Sequence, residues 1–265
     1  MNKLLTFFAA PITAFFYPPV YKDAVKSSAS RGVLYCLYLA GLATVLLMIL
    51  LSVKVMPQAD NFATWLQGNM PFLVWTPDGL SLENGKTSAE LTHPKYGKIA
   101  FFDMAQTSAE EANFNGAYVL VTSQKIFTKT PQGQIEERAI TQGITRPGQQ
   151  PPQRIRITGE IAEKLYQNLK KVFLSIMTFL TLIVSFIFIL ASNLFYSLAG
   201  LLMNLMRKEK LRYGAIFNLT CFATSAGFTL LWIKVLLPFP IYANALVNLA
   251  FMFFAFKVTD KKEAA

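Results

Sequence analysis

VFLSIMTFLTLIVSFIFILASNLFYSLAGLLMNLM, residues 172–206, runs for 35 positions without a charge. As one α-helix it would measure ~52 Å at ~1.5 Å per residue, well beyond a hydrocarbon core of ~30 Å. As two crossings it would turn near Ser192-Asn193 and leave Leu194 to Met206, 13 residues, for the second. That is too few to span. Charge decides between the two. One crossing places Arg207, Lys208, Lys210 and Arg212 on the side of Lys22, Lys26, Arg31, Lys257, Lys261 and Lys262, ten basic residues against four (Lys54, Lys170, Lys171, Lys234) on the other. Cytoplasmic loops favour Lys and Arg, and two crossings would spoil that bias. The stretch is read as one long crossing, its surplus turns tilted, kinked near Ala199-Gly200 or laid along the inner surface.

Outward from this helix the other spans follow. Gly32 to Val53 gives 22 uncharged residues, a first span over 32–53. Tyr213 to Ile233 gives 21, a third over 213–235. Ile241 to Phe256 gives only 16, and starting at Pro240, whose missing N–H does no harm in a first turn, extends a fourth to 240–257. Pro238-Phe239-Pro240 makes the turn before it. Residues 1–31 form a cytoplasmic, interfacial segment: Phe7, Phe8, Phe15 and Phe16 beside Lys3, Lys22, Lys26 and Arg31 suit a short helix at the membrane surface, ended by Pro18-Pro19. Pro11 after Ala9-Ala10 argues against a cleaved signal peptide. Residues 207–212 are a basic cytoplasmic loop and 258–265 a cytoplasmic tail.

The chain has 53% hydrophobic and 15% charged residues, against ~25% charged in soluble proteins. Its net charge of +10 is uneven: residues 56–171 carry 12 basic and 11 acidic groups, so the surplus belongs to the membrane part. That distribution follows topology and argues against nucleic acid as a partner. Cys36 and Cys221 both sit in apolar runs and read as small buried hydrophobes.

Residues 54–171 form the extracytoplasmic domain. A short helix over Gln58 to Leu66 precedes strand-like runs at Pro71 to Trp75, Leu80 to Leu82, Lys98 to Asp103, Ala117 to Thr122 and Lys125 to Thr128. Turn signals separate them at Pro77-Asp78-Gly79, Asn84-Gly85 and Pro131-Gln132-Gly133. Gln134 to Ile140 returns as a hairpin, and Arg146 to Pro152 is a loop. Thr158 is an N-cap, after which Ile161, Leu165 and Leu169 repeat at four on a helix that continues into the membrane.

Chemistry is sparse. His93 is the one histidine and has neither a metal-ligand set nor a nucleophile around it. Glu110-Glu111 and Glu136-Glu137 read as solvated pairs. No catalytic, cofactor-binding or metal residues are assigned and no cofactor is expected. The spans carry no ionisable group at mid-depth, where ion-coupled carriers tend to place one. Their polar residues, Ser185, Ser192, Asn193, Asn218, Asn244 and Asn248, are candidate interhelical contacts. Thr178, Ser185, Ser192 and Ala199 recur at seven, while Asn193, Ser197, Gly200 and Asn204 follow at 4, 3 and 4. Ala223 and Gly227 make a small-xxx-small pair. Arg207, Lys208, Lys210 and Arg212 are candidate contacts for anionic lipid headgroups.

Ile12 to Lys22 (ITAFFYPPVYK) and Leu34 to Leu39 (LYCLYL) resemble the opening of a bacterial multi-pass membrane family of unknown function. Some of its members are labelled "maltodextrin utilization protein", and it is grouped distantly with Yip-type membrane proteins. Met70-Pro71-Phe72, Leu82-Glu83-Asn84-Gly85 and Ile99 to Asp103 (IAFFD) extend the likeness. The resemblance implies a cytoplasmic-membrane protein with an extracytoplasmic domain containing β-structure, and it brings no active site.

The sequence thus predicts an α-helical polytopic membrane protein of four transmembrane helices, with an α+β extracytoplasmic domain between helices 1 and 2. It would lie in the bacterial cytoplasmic (inner) membrane, both termini cytoplasmic. The expected function is non-enzymatic: a scaffold, accessory subunit or sensor whose outer domain binds or positions an unknown protein partner. The alternative is a small-solute or lipid transporter, or an accessory of one, using the Ser/Asn-lined faces.

Overall fold

A computed structural model describes residues 3–83, 85–106, 113–130, 132–140, 154–236 and 244–260, with the side chains of 3–6, 234–236 and 244 excepted. The Pro238 turn, the Arg146 to Pro152 loop, Glu110-Glu111 and the tail lysines Lys261 and Lys262 lie outside the described residues. The chain forms two compact units, residues 1–52 with 174–265, and residues 53–173.

The first unit is helical: α1 (Lys3–Thr13), α2 (Pro19–Val25), α3 (Ala29–Leu50), the apolar part of α5 (Gly159–Leu205), α6 (Tyr213–Leu236) and α7 (Asn244–Asp260). Among the described residues, three helical stretches, Ala29–Asn69, Gly159–Leu205 and Tyr213–Ile233, are long and apolar enough to cross a membrane. The segment expected as a fourth span corresponds to α7, of 17 residues.

The least apolar of the three, α6, is the most buried. Every residue from Ile216 to Gly227 is buried. Helices α1, α2, α3 and α7 pack around it. Nothing on this helix marks a single inward face, which is the pattern of a helix enclosed on all sides. The apolar part of α5 is the converse. Val172, Ile176, Phe179, Val184, Ile187 and Phe188 are all exposed, and only from Ile189 onward does one row, Ile189, Asn193, Ser197, Gly200 and Asn204, turn inward.

The second unit opens on α4 (Met56–Asn69), which follows α3 through a π-helical turn, Leu51–Val55. Then come β1 (Leu73–Thr76), β2 (Gly79–Leu82), β3 (Ser88–His93), β4 (Gly97–Asp103), β5 (Val119–Val121), β6 (Lys125–Lys129), β7 (Ile135–Ala139), β8 (Ile155–Ile157) and the start of α5. They make two sheets, one ordered β2-β1-β8 and one β3-β4-β5-β6-β7. All pairings are antiparallel except β4 with β5. A parallel pair cannot be closed by a tight hairpin, so residues 104–118 cross over between them. Leu73, Trp75, Leu80 and Leu82 from the small sheet share one core with Leu91, Ala100, Phe102 and Val121 from the large one. Side chains alternate across a strand, so Leu120 and its cross-strand partner Phe127 point to the opposite face and bury Phe114 there.

Helices α4 and α5 are pinned in two places within this unit. The start of α5 approaches the end of α4 so closely that a Cβ on Gly159 would overlap the Gln67 carbonyl. Further along, Asp60 accepts hydrogen bonds from Lys170 Nζ at 2.6 and 2.8 Å and from the Tyr166 hydroxyl at 2.8 Å. The Lys170 ammonium, seconded by Tyr166, holds the Asp60 carboxyl below the usual carboxylate range. Burial, with Asp60 as acceptor and anion, pushes the Tyr166 phenol up to about 12.

The signs follow from linkage. Asp60 is depressed when folded, so its contribution is complete above a pH of about 4 and is lost as pH falls through its lower folded value. The protection of the α4 amides, taken as exchange relative to the intrinsic rate at each pH, is expected to fall on acidification through that window in the native protein and to lose this pH dependence in Asp60→Asn, which starts from the unpinned level.

Candidate functional site

The buried polar side chains of the helix unit fall into three fastenings. In the first, Asn193 of α5 donates from Nδ2 to the Ile189 carbonyl at 3.0 Å and lies 3.6 Å from Cys36 Sγ of α3. Its Oδ1 accepts from Thr224 Oγ1 of α6 at 2.6 Å. Cys36 and Cys221 meet at 3.6 Å between their sulfurs. Tyr35 stacks on Phe222 with ring centroids 4.1 Å apart and an angle of 10°. One asparagine thus joins three helices, α3, α5 and α6. Ser197 bonds back to the Asn193 carbonyl at 2.7 Å.

The second fastening is Asn218 of α6. Its Nδ2 reaches the carbonyls of Ser27 at 2.9 Å and Ser28 at 2.7 Å, closing the α2–α3 turn. Its Oδ1 occupies the space that a side chain on Gly32 would fill. The third repeats that device: Asn248 of α7 sets its Oδ1 against Gly227 of α6, where no Cβ intervenes. In both pairs a glycine admits an amide oxygen to contact with Cα hydrogens.

The 4-3-4 row on α5 is therefore its packing face, and the heptad row is not. Ser185 and Ser192 are half-buried beside it and Thr178 is exposed. Asn244 opens α7, its side chain outside the described set. Sequence reasoning missed Thr224, Thr229, Tyr21 and Gly32. Each is a common residue type, and what marks it is the partner brought to it by folding.

The basic loop is divided by function. Arg207 is buried. Its guanidinium donates to the Phe256 carbonyl at 2.8 Å, to Thr259 Oγ1 at 2.8 Å and to the Thr259 carbonyl at 3.1 Å, with Asp260 at 3.5 Å. These groups are the C-terminal end of α7, where a cation both satisfies unpaired carbonyls and opposes the helix dipole. Lys210 serves the end of α5, donating to the Asn204 carbonyl at 3.1 Å and to that of Leu205. Asn204 brackets Leu211, accepting from its N–H at 2.9 Å and donating to its carbonyl at 3.2 Å. Lys208 and Arg212 are exposed.

In the sheet unit His93 belongs to a turn. Its Nδ1 accepts from the N–H groups of Lys95 at 3.0 Å and Tyr96 at 3.3 Å, and its ring packs among Trp65, Phe62 and Tyr96. Glu137 pairs with Lys125 at 2.6 Å and Glu136 with Arg138 at 3.3 Å, while Asp103 accepts from the Ala105 N–H. A cleft of about 180 Å³ lies among Trp75, Asp78, Ser123, Lys125 and Ile140. It falls short of the ~300–1,000 Å³ of ordinary ligand pockets.

Three apolar helices of spanning length and a β-sheet unit define a helical membrane protein whose polar core joins helix to helix. The chain belongs to the family described as "Protein of unknown function (DUF1189)", whose model matches residues 8–256. No curated protein and no solved structure matches it.

Two outcomes follow. A double-mutant cycle between Asn193→Leu and Thr224→Val is expected to give a coupling of ~0.6 kcal/mol and at most ~1.7 kcal/mol, measured by reversible unfolding in detergent. Arg207→Gln is expected to destabilise the protein by ~1.5–3 kcal/mol through the lost charged hydrogen bonds, while Lys208→Gln leaves thermal stability unchanged.

Proposed function

We propose that this is a four-span protein of the bacterial cytoplasmic membrane, with α7 as the fourth span and the 53–173 unit on the extracytoplasmic side, acting as a scaffold, accessory subunit or sensor that binds or positions a partner protein. The observation that carries the reading is an apolar stripe on the sheet unit. Ile161, Leu165 and Leu169 of α5 stand one turn apart and are 44%, 58% and 58% exposed. They precede Lys170 and Lys171, so in this topology lipid does not cover them. An adjoining face of the same helix, about 100° round at 3.6 residues per turn, is occupied by the Asp60 pin through Tyr166 and Lys170. A row of large apolar side chains left open to water is the usual mark of an interaction surface.

Both passages of the chain between the two units are made in helix, α3 to α4 through the π-turn and α5 without a break. The transporter alternative would need the asparagines for a polar route; Asn193 and the amide nitrogen of Asn218 are engaged in fastening helices, which leaves Asn248 and the Asn218 Oδ1 as the polar groups such a route could use. Lipid headgroup contact at the basic loop falls to Lys208 and Arg212, since Arg207 and Lys210 cap helix ends. Each would add about 1 kcal/mol of attraction to an acidic surface.

Purification from mild detergent is the test. A partner is expected to co-purify with the native chain and to be lost from Leu165→Glu/Leu169→Glu, each leucine contributing up to ~1.5–3 kcal/mol. Repeated recovery of the native protein alone would remove the partner reading. Impermeant thiol reagents on intact cells should modify Ser123→Cys and spare Lys210→Cys, in a background where Cys36 and Cys221 are replaced by Ala.

A further inference from the structure

We propose that residues 3–28 form a re-entrant hairpin, whose exposed stripe Phe8, Ile12 and Phe16 is docked into the acyl chains at the depth of the middle of the bilayer, and which leaves the bilayer on the side it entered. The proposal rests on α6 being a membrane span, as argued above.

Positions along α6 serve as a depth scale. Counted from Tyr213 at ~1.5 Å per residue, Asn218 lies about 7 Å along the helix, Phe222 about 13 Å and Thr229 about 24 Å. The ring of Phe7 is 6.3 Å from that of Phe222. Four residues later, the Pro11 carbonyl accepts from Thr229 Oγ1 at 3.0 Å. The chain of α1 therefore climbs along α6. It then turns. Phe15 meets Phe251 at 5.2 Å, Tyr21 meets Phe254 at 6.1 Å, and α2 ends with the Ser27 and Ser28 carbonyls on Asn218. α7 runs antiparallel to α6, Asn248 lying against Gly227, so the step from Phe251 to Phe254 is a descent. Up to the level of Thr229 and back to that of Asn218, the path covers the middle of the span without reaching its far end.

Three independent features suit that depth. Leu4 to Tyr21 is free of charge, and charge returns with Lys22, Asp23 and Lys26, where the path descends; Asp23 pairs with Arg31 at 2.8 Å. The turn is chemically sealed. Pro18 has no N–H for the Ala14 carbonyl four residues earlier, and the Tyr21 hydroxyl donates to that carbonyl instead, at 2.5 Å. The Phe15 N–H bonds to Ile12 rather than to Pro11, and Thr229 serves Pro11. Broken helix at membrane depth persists only where protein groups satisfy the freed backbone. Finally, the two faces are sorted. Phe7, Ala10 and Ala14 are buried against the bundle, while Phe8, Ile12 and Phe16 face outward, Phe16 being 84% exposed at the tip. An aromatic tip that open has hydrocarbon as its fitting neighbour. Phe8 of that stripe meets Tyr38 of α3, ring to ring at 5.2 Å. A surface helix, as residues 1–31 were expected to form, would not bring Pro11 to Thr229.

The experiment places one environment-sensitive fluorophore at Phe16→Cys or at Ser28→Cys, in full-length protein with Cys36 and Cys221 replaced by Ala, reconstituted with lipids bearing nitroxides at headgroup or mid-chain level. Position 16 is expected to be quenched roughly twofold more by the mid-chain nitroxide and position 28 more by the headgroup one, given a hydrocarbon core of ~30 Å. Impermeant maleimide should reach position 28 from one side and position 16 from neither. Stronger headgroup quenching at position 16 overturns the proposal in favour of a surface helix. Labelling of position 16 from the side opposite to position 28 overturns it in favour of a full crossing. Tyr213→Cys and Ile233→Cys report on the underlying reading: opposite sides uphold the α6 span, and the same side overturns both. Thr229→Val and Tyr21→Phe are expected to lessen the mid-chain quenching at position 16 if the hairpin is held as described, and unchanged quenching in the double variant counts against it.

Discussion

Asn218, Thr220, Thr224 and Ser225 lie within eight consecutive residues of α6, and no orientation of that helix could turn all of them from hydrocarbon at once. A polar group turned to hydrocarbon is costly, so burial against protein is favoured even where a hydrogen bond is not made: Thr224 and Ser225 find acceptors, while among the described residues Thr220 Oγ1 and Asn218 Oδ1 are buried without one. The helix unit answers by surrounding α6. The more apolar helices take the outside, as α5 shows, with large side chains exposed on nearly every face until the row from Ile189 to Asn204 meets the bundle. The order of burial is thus the reverse of the order of hydropathy, because lipid replaces the apolar core as the sink for hydrophobic surface and only packing and hydrogen bonds remain to hold helices together.

The same constraint explains the helix ends. Arg207 closes α7, Lys210 closes α5, Asn218 closes the turn after α2, Tyr21 takes the Ala14 carbonyl that Pro18 leaves free, and Thr229 takes that of Pro11, which the Phe15 N–H bypasses for Ile12. None of these side chains has a chemical task that would set it apart from its neighbours in the sequence. Two of the four basic loop residues are consumed in this way, so a charge count that assigns the loop's side of the membrane says little about which of its cations are available to lipid.

Legibility differed between the two units for physical reasons. In the sheet unit, Gly, Pro and Asp punctuation located β1, β2, β4, β5, β6 and β7 to within a few residues, and Thr158 stood just before α5. Missed were β3, Ser88–His93, and β8, Ile155–Ile157. Ser-Ala-Glu-Leu-Thr-His buries only Leu91 fully, and the three residues Ile155-Arg156-Ile157 are too few to show a period. Both are recruited by pairing with a stronger neighbour, β4 and β1. In the helix unit, the 4-3-4 row on α5 was readable because a packing face repeats. The N-terminal segment is read less easily, since its aromatic residues satisfy a surface helix and a re-entrant one equally well, and the residues that contact it on α6 lie some two hundred positions away. The family match agrees with the resemblance carried by the Ile12 to Lys22 stretch, while leaving activity to be found by experiment.

Those long-range contacts impose an order on biosynthesis. Thr229 follows Pro11 by 218 residues, and Asn218 follows Ser28 by 190. At ~5–20 residues per second, a ribosome would need on the order of 10–40 s to deliver the groups that complete the first turn it made. Through that interval the earliest aromatic segment is without its permanent hydrogen-bond donors, and must be sheltered by the insertion machinery or wait at the lipid boundary. The last helices translated are the ones that let the first settle.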